Sequence, residues 1–167
     1  MPIFTGAVKV THETGFTLVE VMLAMGIIAL LAAIAIPNVL RGRTTANESA
    51  VIANVRALSS ALEMYRAVNN QYPWPWQGEM YTNADPDYGP PAFNGNMFGS
   101  LVQGYSYVYG RGTPQTFILL AQPLNLGRDG TRTFFTDQTG IIRHCRGRVG
   151  AGMADDNTLD AAPRACD

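Results

Sequence analysis

A run of 21 residues from Phe16 to Ile36 contains a single charged residue, Glu20, and constrains the fold more than any other feature. At 1.5 Å per residue, an apolar helix of about 20 residues crosses the hydrocarbon core of a bilayer. A secretory signal peptide has a shorter apolar stretch after a basic segment, whereas THETG directly precedes this run. A chain of 167 residues cannot easily surround a helix that is apolar on every face. The run therefore predicts a membrane-spanning helix.

Glu20 does not fit a simple membrane anchor. An acidic residue deep in a bilayer costs roughly 2.5–3.5 kcal/mol on insertion scales, and less near a helix end, where its side chain reaches the interface. Ionisable residues within membranes usually mark a function, so the alternative is that Glu20 meets a positive partner when helices pack together. Small residues would let such helices approach closely. They are Ala24, Gly26, Ala29, Ala32 and Ala33.

A second helical pattern follows the apolar run, from about residue 38 to residue 70. Apolar residues separated by three or four positions form one stripe, which is expected to pack on a globular head. The stripe consists of Val51, Val55, Leu58, Leu62 and Tyr65, and the other face carries Asn47, Glu48, Asn54, Arg56, Ser60, Glu63 and Arg66. Joined to the span, the helix would contain about 54 residues and measure roughly 80 Å.

The rest of the chain predicts a loop followed by β-structure. Residues 71–102 are rich in Pro, Gly, Asn and aromatics and read as a connecting loop, in which Trp74 and Trp76 are expected to hold the loop against the head. Residues 103–144 contain four β-type runs, at 105–109, 115–121, 131–136 and 140–144, separated by short turns, which predicts an antiparallel sheet. The fold class is α+β: a long N-terminal helix packed on a small antiparallel sheet.

The two cysteines, Cys145 and Cys166, both lie near the C-terminus. They are too few and too badly spaced for a zinc site, but a pair flanking a polar loop fits a disulfide and a non-cytoplasmic location. Closing the 20 residues between them would contribute roughly 3 kcal/mol on the chain-entropy model.

Other chemistry is sparse in the sequence. The net charge of −1 gives no indication of a nucleic-acid partner, and the basic group Arg143, Arg146 and Arg148 is expected to face solvent. No nucleophile–base pair, phosphate-binding loop or cluster of metal ligands is visible, so we predict neither an enzyme nor a cofactor.

The stretch Gly15-Phe16-Thr17-Leu18-Val19-Glu20, followed by an apolar run and Pro37, resembles the N-terminal signature of type IV pilins and pseudopilins. The resemblance implies that residues 1–15 are a leader, which a prepilin peptidase removes between Gly15 and Phe16 before Phe16 is N-methylated. The leader departs from the family's basic pattern, since Glu13 accompanies Lys9 and His12.

The same resemblance assigns roles in a filament. Residues 16–37 would form the membrane and filament-core helix, and residues 38–70 its amphipathic continuation. Glu20 of one subunit would meet the positive amino group on Phe16 of a neighbour, a pairing favoured over two unpaired charges in an apolar bundle. Pro37 removes one backbone donor and favours a kink.

The C-terminal segment, residues 145–167, resembles the disulfide-bounded loop of type IV pilins. Major pseudopilins of type II secretion can bind calcium in a C-terminal loop, and carboxylates suit that ion. Candidate ligands here are Asp155, Asp156 and Asp160, with Asn157 between them, but their spacing does not match an EF-hand loop. We therefore predict no metal and keep these three aspartates as secondary candidates.

Three functions follow, in order of preference. The first is a structural subunit, major or minor, of a type IV pilus, which the cysteine pair favours. The second is a pseudopilin of type II secretion, which the helix ending LEMYRAVNNQYP favours. The third is a membrane-anchored periplasmic enzyme or binding domain, which leaves the Gly15-Phe16 motif unexplained.

The implied partners are copies of the chain or other pilins, the prepilin peptidase, the inner membrane and an assembly platform. The implied location is the inner membrane with the head outside the cytoplasm, and then a pilus or pseudopilus.

Overall fold

The computed structural model describes residues 15–95, 97 and 99–148, which divide into two units at Asn38 and Val39. One helix, α1, spans Leu18–Asn69 and continues through Pro37. In the first unit, residues 15–38, every residue is exposed except Ala32, which is half-buried. This part of α1 is apolar and long enough to cross a membrane. The first unit therefore shows an apolar helix surface with no cover from the described part of its own chain.

The second unit contains a five-stranded sheet in which every strand is antiparallel to its neighbours and lies next to the strand that follows it in sequence. The strands are β1 (Ser100–Val102), β2 (Tyr105–Thr113), β3 (Thr116–Pro123), β4 (Arg132–Asp137) and β5 (Arg143–Arg146). Tight connections suffice because consecutive antiparallel strands need only a short turn. The predicted α+β class is confirmed.

The predicted helix stripe forms one side of the core. Val51, Val55, Leu58, Leu62 and Tyr65 are all at most 3% exposed. They belong to one cluster with the alternate residues of β2, namely Tyr105, Tyr107 and Tyr109. Alternation along a strand places these three tyrosines on one face. The second half of α1 is thus buried on one stripe because the sheet covers it, in contrast to the first half.

The end of α1 and the following connection are held by specific hydrogen bonds. Asn70 takes a positive φ of 54° and its amide donates to the Arg66 carbonyl at 2.8 Å, which ends the helix. In the connection, Trp76 is 5% exposed and its indole N–H donates to the Phe93 carbonyl at 3.0 Å. Trp74 is 49% exposed, so only one of the two tryptophans holds the connection against the core. A π-helical turn, Gly78–Thr82, and a 3₁₀ turn, Pro91–Phe93, complete this segment.

Two strand positions differ from the sequence expectation. β1 lies in the segment that the sequence predicted as loop, because a three-residue strand is too short to show alternation. The last strand was expected at residues 140–144, whereas β5 begins at Arg143. Gly140 has a φ of 72° and its amide donates to the Asp137 carbonyl at 3.0 Å, so it closes a turn instead of starting a strand.

Candidate functional site

The start of α1 carries a local motif that positions Glu20. Thr17 immediately precedes the helix, and its hydroxyl accepts a hydrogen bond from the Glu20 amide at 3.2 Å. A threonine that caps a helix, followed three residues later by glutamate, is the capping-box pattern, which our sequence analysis did not recognise. The carboxylate of Glu20 therefore lies in the first turn, where the helix dipole favours a negative charge.

Glu20 and Phe16 line the same shallow groove on the helix surface. The groove is also lined by apolar or small residues of the next two turns, namely Val21, Ala24, Met25 and Ile28. Phe16 is 82% exposed, and none of the ion pairs among the described residues involves Glu20. An aromatic residue, a carboxylate and a surface on which another helix could pack closely therefore lie together on one exposed face.

Gly15 lies just before this face and is itself exposed. A Cβ built at Gly15 would meet no atom within 4 Å, and its φ is not in the left-handed region. The described fold therefore does not require a glycine here. Any requirement for glycine at position 15 would therefore come from a binding partner that recognises this segment, and not from the fold.

The second unit contains a buried carboxylate, that of Glu48 on α1, which is bound by Thr131 and Arg132. We call these three residues the Glu48 clamp. The Thr131 amide and hydroxyl both donate to Glu48 Oε1 at 2.8 Å. The Arg132 Nε donates to Oε2 at 2.9 Å, and Arg132 Nη2 lies 2.7 Å from the same oxygen. Glu48 is only 7% exposed. The clamp joins the helix to the start of β4.

The electrostatics of the clamp favour the charged carboxylate. Burial by itself would raise the pKa of Glu48, but the hydrogen bonds from Thr131 and Arg132 and the positive charge of Arg132 outweigh it. The pKa of Glu48 is therefore below its ordinary value of 4.5. The sequence placed Glu48 on the polar face of the helix. The structure corrects this expectation, because the clamp and the sheet bury the side chain.

Two further polar residues of that face also bind the sheet unit. Asn47 Nδ2 donates to the Asp129 carbonyl at 2.9 Å, and Asn54 Nδ2 donates to the Tyr107 hydroxyl at 3.1 Å. Asp129 is 5% exposed and its Oδ2 accepts hydrogen bonds from the Asn125 amide and side chain at 3.1 and 2.7 Å. The turn between β3 and β4 is thus held rigidly against α1.

The structure does not bring the three predicted surface arginines into one patch. Arg143 pairs with Asp137 at 3.3 Å, while Arg146 is exposed and lies opposite Arg132 in the β4–β5 register. Arg148 Nη1 donates to the Leu124 carbonyl at 3.3 Å. Residues 143 and 146 are three positions apart on one strand and so point to opposite faces.

The remaining predicted site residues belong to the C-terminal segment. Cys145 lies on β5 and is 4% exposed. Cys166, Asp155, Asp156 and Asp160 lie outside the described residues, so the disulfide and the calcium ligands stay predictions. Among residues 15–148 as far as they are described, no three His, Cys, Asp or Glu side chains are grouped to hold a metal ion.

Comparison with known proteins adds two findings. Residues 11–36 match the family described as "Prokaryotic N-terminal methylation motif". The chain is 32% identical to the type II secretion system core protein G of Pseudomonas aeruginosa over 126 residues, which cover 71% of this chain and 86% of that protein.

Other relatives with the same name match a shorter part of the chain. The protein of Escherichia coli K12 is 34% identical over 89 residues, 53% of this chain and 61% of the relative. That of Aeromonas hydrophila is 38% identical over 67 residues, 40% of this chain and 47% of the relative. In several of these comparisons the match thus spans about half of the relative's length.

Proposed function

Because the chain belongs to the type IV pilin-like family that includes the type II secretion system core protein G, we propose that it is a structural subunit of a type II secretion pseudopilus. The name that its relatives share favours this assignment over the type IV pilus, which the sequence alone placed first. Membership in a family of fibre subunits supports a structural role over an enzymatic one. No cofactor is part of the proposal.

Maturation is the first step of the proposed function. A prepilin peptidase cleaves between Gly15 and Phe16, and the new amino group of Phe16 is methylated, which retains its positive charge. The match to the methylation motif over residues 11–36 supports this step. The lack of a structural need for glycine at position 15 supports it independently, since the glycine is then explained by the peptidase.

Assembly is the second step, and Glu20 sets the register between subunits. An uncompensated carboxylate in an apolar helix bundle is strongly disfavoured, whereas a carboxylate beside an amine of another chain is stabilised. The shared groove of Phe16 and Glu20 supports the pairing, because the donor and the acceptor lie on the same face of every subunit. Ala24 and Gly26 allow neighbouring helices to approach, and Pro37 allows the helix to bend on packing.

The location follows from the same steps. The apolar first half of α1 anchors the chain in the inner membrane, with the head outside the cytoplasm, until the subunit is extracted into a periplasmic fibre. The partners are other copies of the chain or related pseudopilins, the prepilin peptidase and the assembly platform. The exposed apolar surface of residues 16–40 supports both states, because lipid covers it before assembly and neighbouring helices cover it afterwards.

The test compares a strain that lacks the gene with the same strain complemented by the wild-type gene. Exported proteins in the medium and sheared, pelleted surface filaments are analysed by mass spectrometry. We expect the deletion to retain exported proteins in the periplasm, and the processed chain beginning at methylated Phe16 to be found with the cells. Intact secretion, together with abundant processed chain in the surface filaments, would instead make the protein a type IV pilus subunit.

Glu20 is tested in the complemented strain. We expect Glu20→Ala and Glu20→Gln to be cleaved normally but to be lost from the fibre, since both remove the charge. Only Glu20→Ala also removes the side-chain volume, so Glu20→Gln tests the charge by itself. Met22→Ala is the matched control, because Met22 is also exposed, lies two residues away on the same helix and carries no charge. Fibre incorporation of Glu20→Gln at the wild-type level would contradict the charge pairing.

A further inference from the structure

The described charges of the second unit are segregated along the molecule. Six arginines lie at the end where α1 enters the unit, and we call them the basal cluster. They are Arg41, Arg43, Arg128, Arg132, Arg146 and Arg148. The remaining described part of the unit has four arginines against five carboxylates. Positive charge is therefore concentrated at one end.

Contacts bring the parts of the basal cluster together. The Glu48 clamp holds Arg132 against α1, and the β4–β5 register places Arg146 opposite Arg132. The hydrogen bond from Asn47 to the Asp129 carbonyl brings the turn that carries Arg128 to the same helix segment. Arg41 and Arg43 precede these contacts on the helix by between one and two turns.

The carboxylates at this end do not cancel the cluster. Glu48 and Asp129 are the described acidic residues there, and they are 7% and 5% exposed. Glu48 is engaged by Thr131 and Arg132, and Asp129 by Asn125. By contrast, Arg41, Arg43, Arg128 and Arg146 are exposed, and none of them takes part in an ion pair among the described residues.

Exposed apolar side chains accompany these arginines. Leu124 and Leu126 in the turn between β3 and β4 are 44% and 55% exposed, and Val39 and Leu40 on α1 are 69% and 53% exposed. A surface that combines arginines with exposed leucines is typical of contact with anionic lipid headgroups. Leu40 is the last residue of the lipid-covered surface, Asn47 follows it by about 10 Å of helix, and a headgroup layer is about 5–8 Å thick. The turn thus lies just above the headgroup layer, and the side chain of Arg128 is long enough to reach it.

We propose that, before assembly, the basal cluster rests on the anionic headgroups of the membrane in which α1 is anchored. The contact would hold the head down until the subunit is extracted, when it is broken and the cluster becomes available to the fibre. This inference rests on the membrane anchoring in the proposed function, but not on the identity of the fibre. Each arginine near an anionic surface strengthens the contact about fivefold, which corresponds to ~1 kcal/mol.

The experiment measures hydrogen–deuterium exchange of the full chain in lipid nanodiscs. One set of discs contains only phosphatidylcholine, and the other contains phosphatidylglycerol in addition. We expect backbone amides of residues 124–131 to exchange about fivefold more slowly in the anionic discs, and this difference to vanish at high salt, which screens exposed charges. Amides of β3 report on folding and are expected to be equal in both discs.

Matched variants identify the residues responsible. Arg128→Gln should reduce the lipid-dependent protection, and Arg128→Gln combined with Arg146→Gln should reduce it further. Arg56→Gln removes the same charge from an exposed position of α1 outside the cluster and should leave the protection unchanged.

Three outcomes would overturn the proposal. The first is equal exchange in the two kinds of disc. The second is protection in the double variant that equals the protection in the wild type. The third is equal loss of protection with Arg56→Gln. Failure of the proposed function would appear separately, as normal secretion in the deletion strain.

Discussion

Replacing Glu48 by alanine tests how the helix is held on the sheet. The substitution leaves the Thr131 amide and the Arg132 guanidinium without their acceptor in a site where Glu48 is 7% exposed. Removing one partner of a buried ion pair typically costs about 3–5 kcal/mol. The Arg132 side chain is 38% exposed and regains some hydration, so the lower end applies. We expect a loss of about 3 kcal/mol in the free energy of unfolding, or roughly 6–12 °C in Tm for a chain of this size.

The measurement is denaturant and thermal unfolding of the full chain in detergent, followed by tryptophan fluorescence, since Trp76 is buried in the core. Arg56→Ala is the control, because it removes a charge from an exposed position of the same helix and should stay within about 0.5 kcal/mol of wild type. A loss below ~1 kcal/mol for Glu48→Ala, or one equal to that of the control, would refute the account of the clamp.

The same clamp predicts the direction of a pH effect. Since the pKa of Glu48 is lowered in the folded state from its ordinary value of 4.5, the unfolded chain binds this proton more readily. The stabilisation is then fully present above pH 4.5 and is lost as the pH falls through the lower folded pKa. Glu48→Gln should remove this part of the acid dependence, and an unchanged acid profile in that variant would contradict the assignment.

Three further substitutions give distinct outcomes. Gly15→Val should accumulate as the uncleaved precursor, seen as a larger band in membranes, and normal cleavage would refute the processing assignment. Cys145→Ser should lower Tm more under oxidising than under reducing conditions, because the buried hydroxyl is destabilising in both; an equal loss in both conditions would refute the disulfide. Gly130→Ala should cost about 1–3 kcal/mol in denaturant unfolding, because a Cβ at position 130 would lie 1.8 Å from the Tyr105 hydroxyl oxygen; wild-type stability would mean that Tyr105 moves aside freely.

The helical part of the fold was predictable because its signals are local. The stripe from Val51 to Tyr65 repeats at three and four residues, and that period alone identifies the buried side of a helix. The signal for the proposed processing residues Gly15 and Phe16 is equally local, since the motif that contains them is a short run of adjacent residues. The α+β class followed from the change of period after residue 103.

The anchors of the helix were not predictable, because their partners lie far away in sequence. Glu48 resembles any solvated glutamate on a polar helix face, and its partners Thr131 and Arg132 are 83 and 84 residues distant. Nothing in the local pattern of either segment marks the other. The capping motif of Thr17 and Glu20, by contrast, has a recognised spacing and could have been found.

The order of the strands has a consequence for how the head forms. Every strand pairs with the one made just before it, from β1 to β5, so the sheet can grow in the order of synthesis and never has to wait for a distant segment. The helix stripe, by contrast, is synthesised first and receives its cover only when β2 and β3 exist. The Glu48 clamp closes later still, once the start of β4 has appeared. A chain interrupted before residue 131 would therefore possess most of the helix-facing core but lack the contact that fixes the helix upon it.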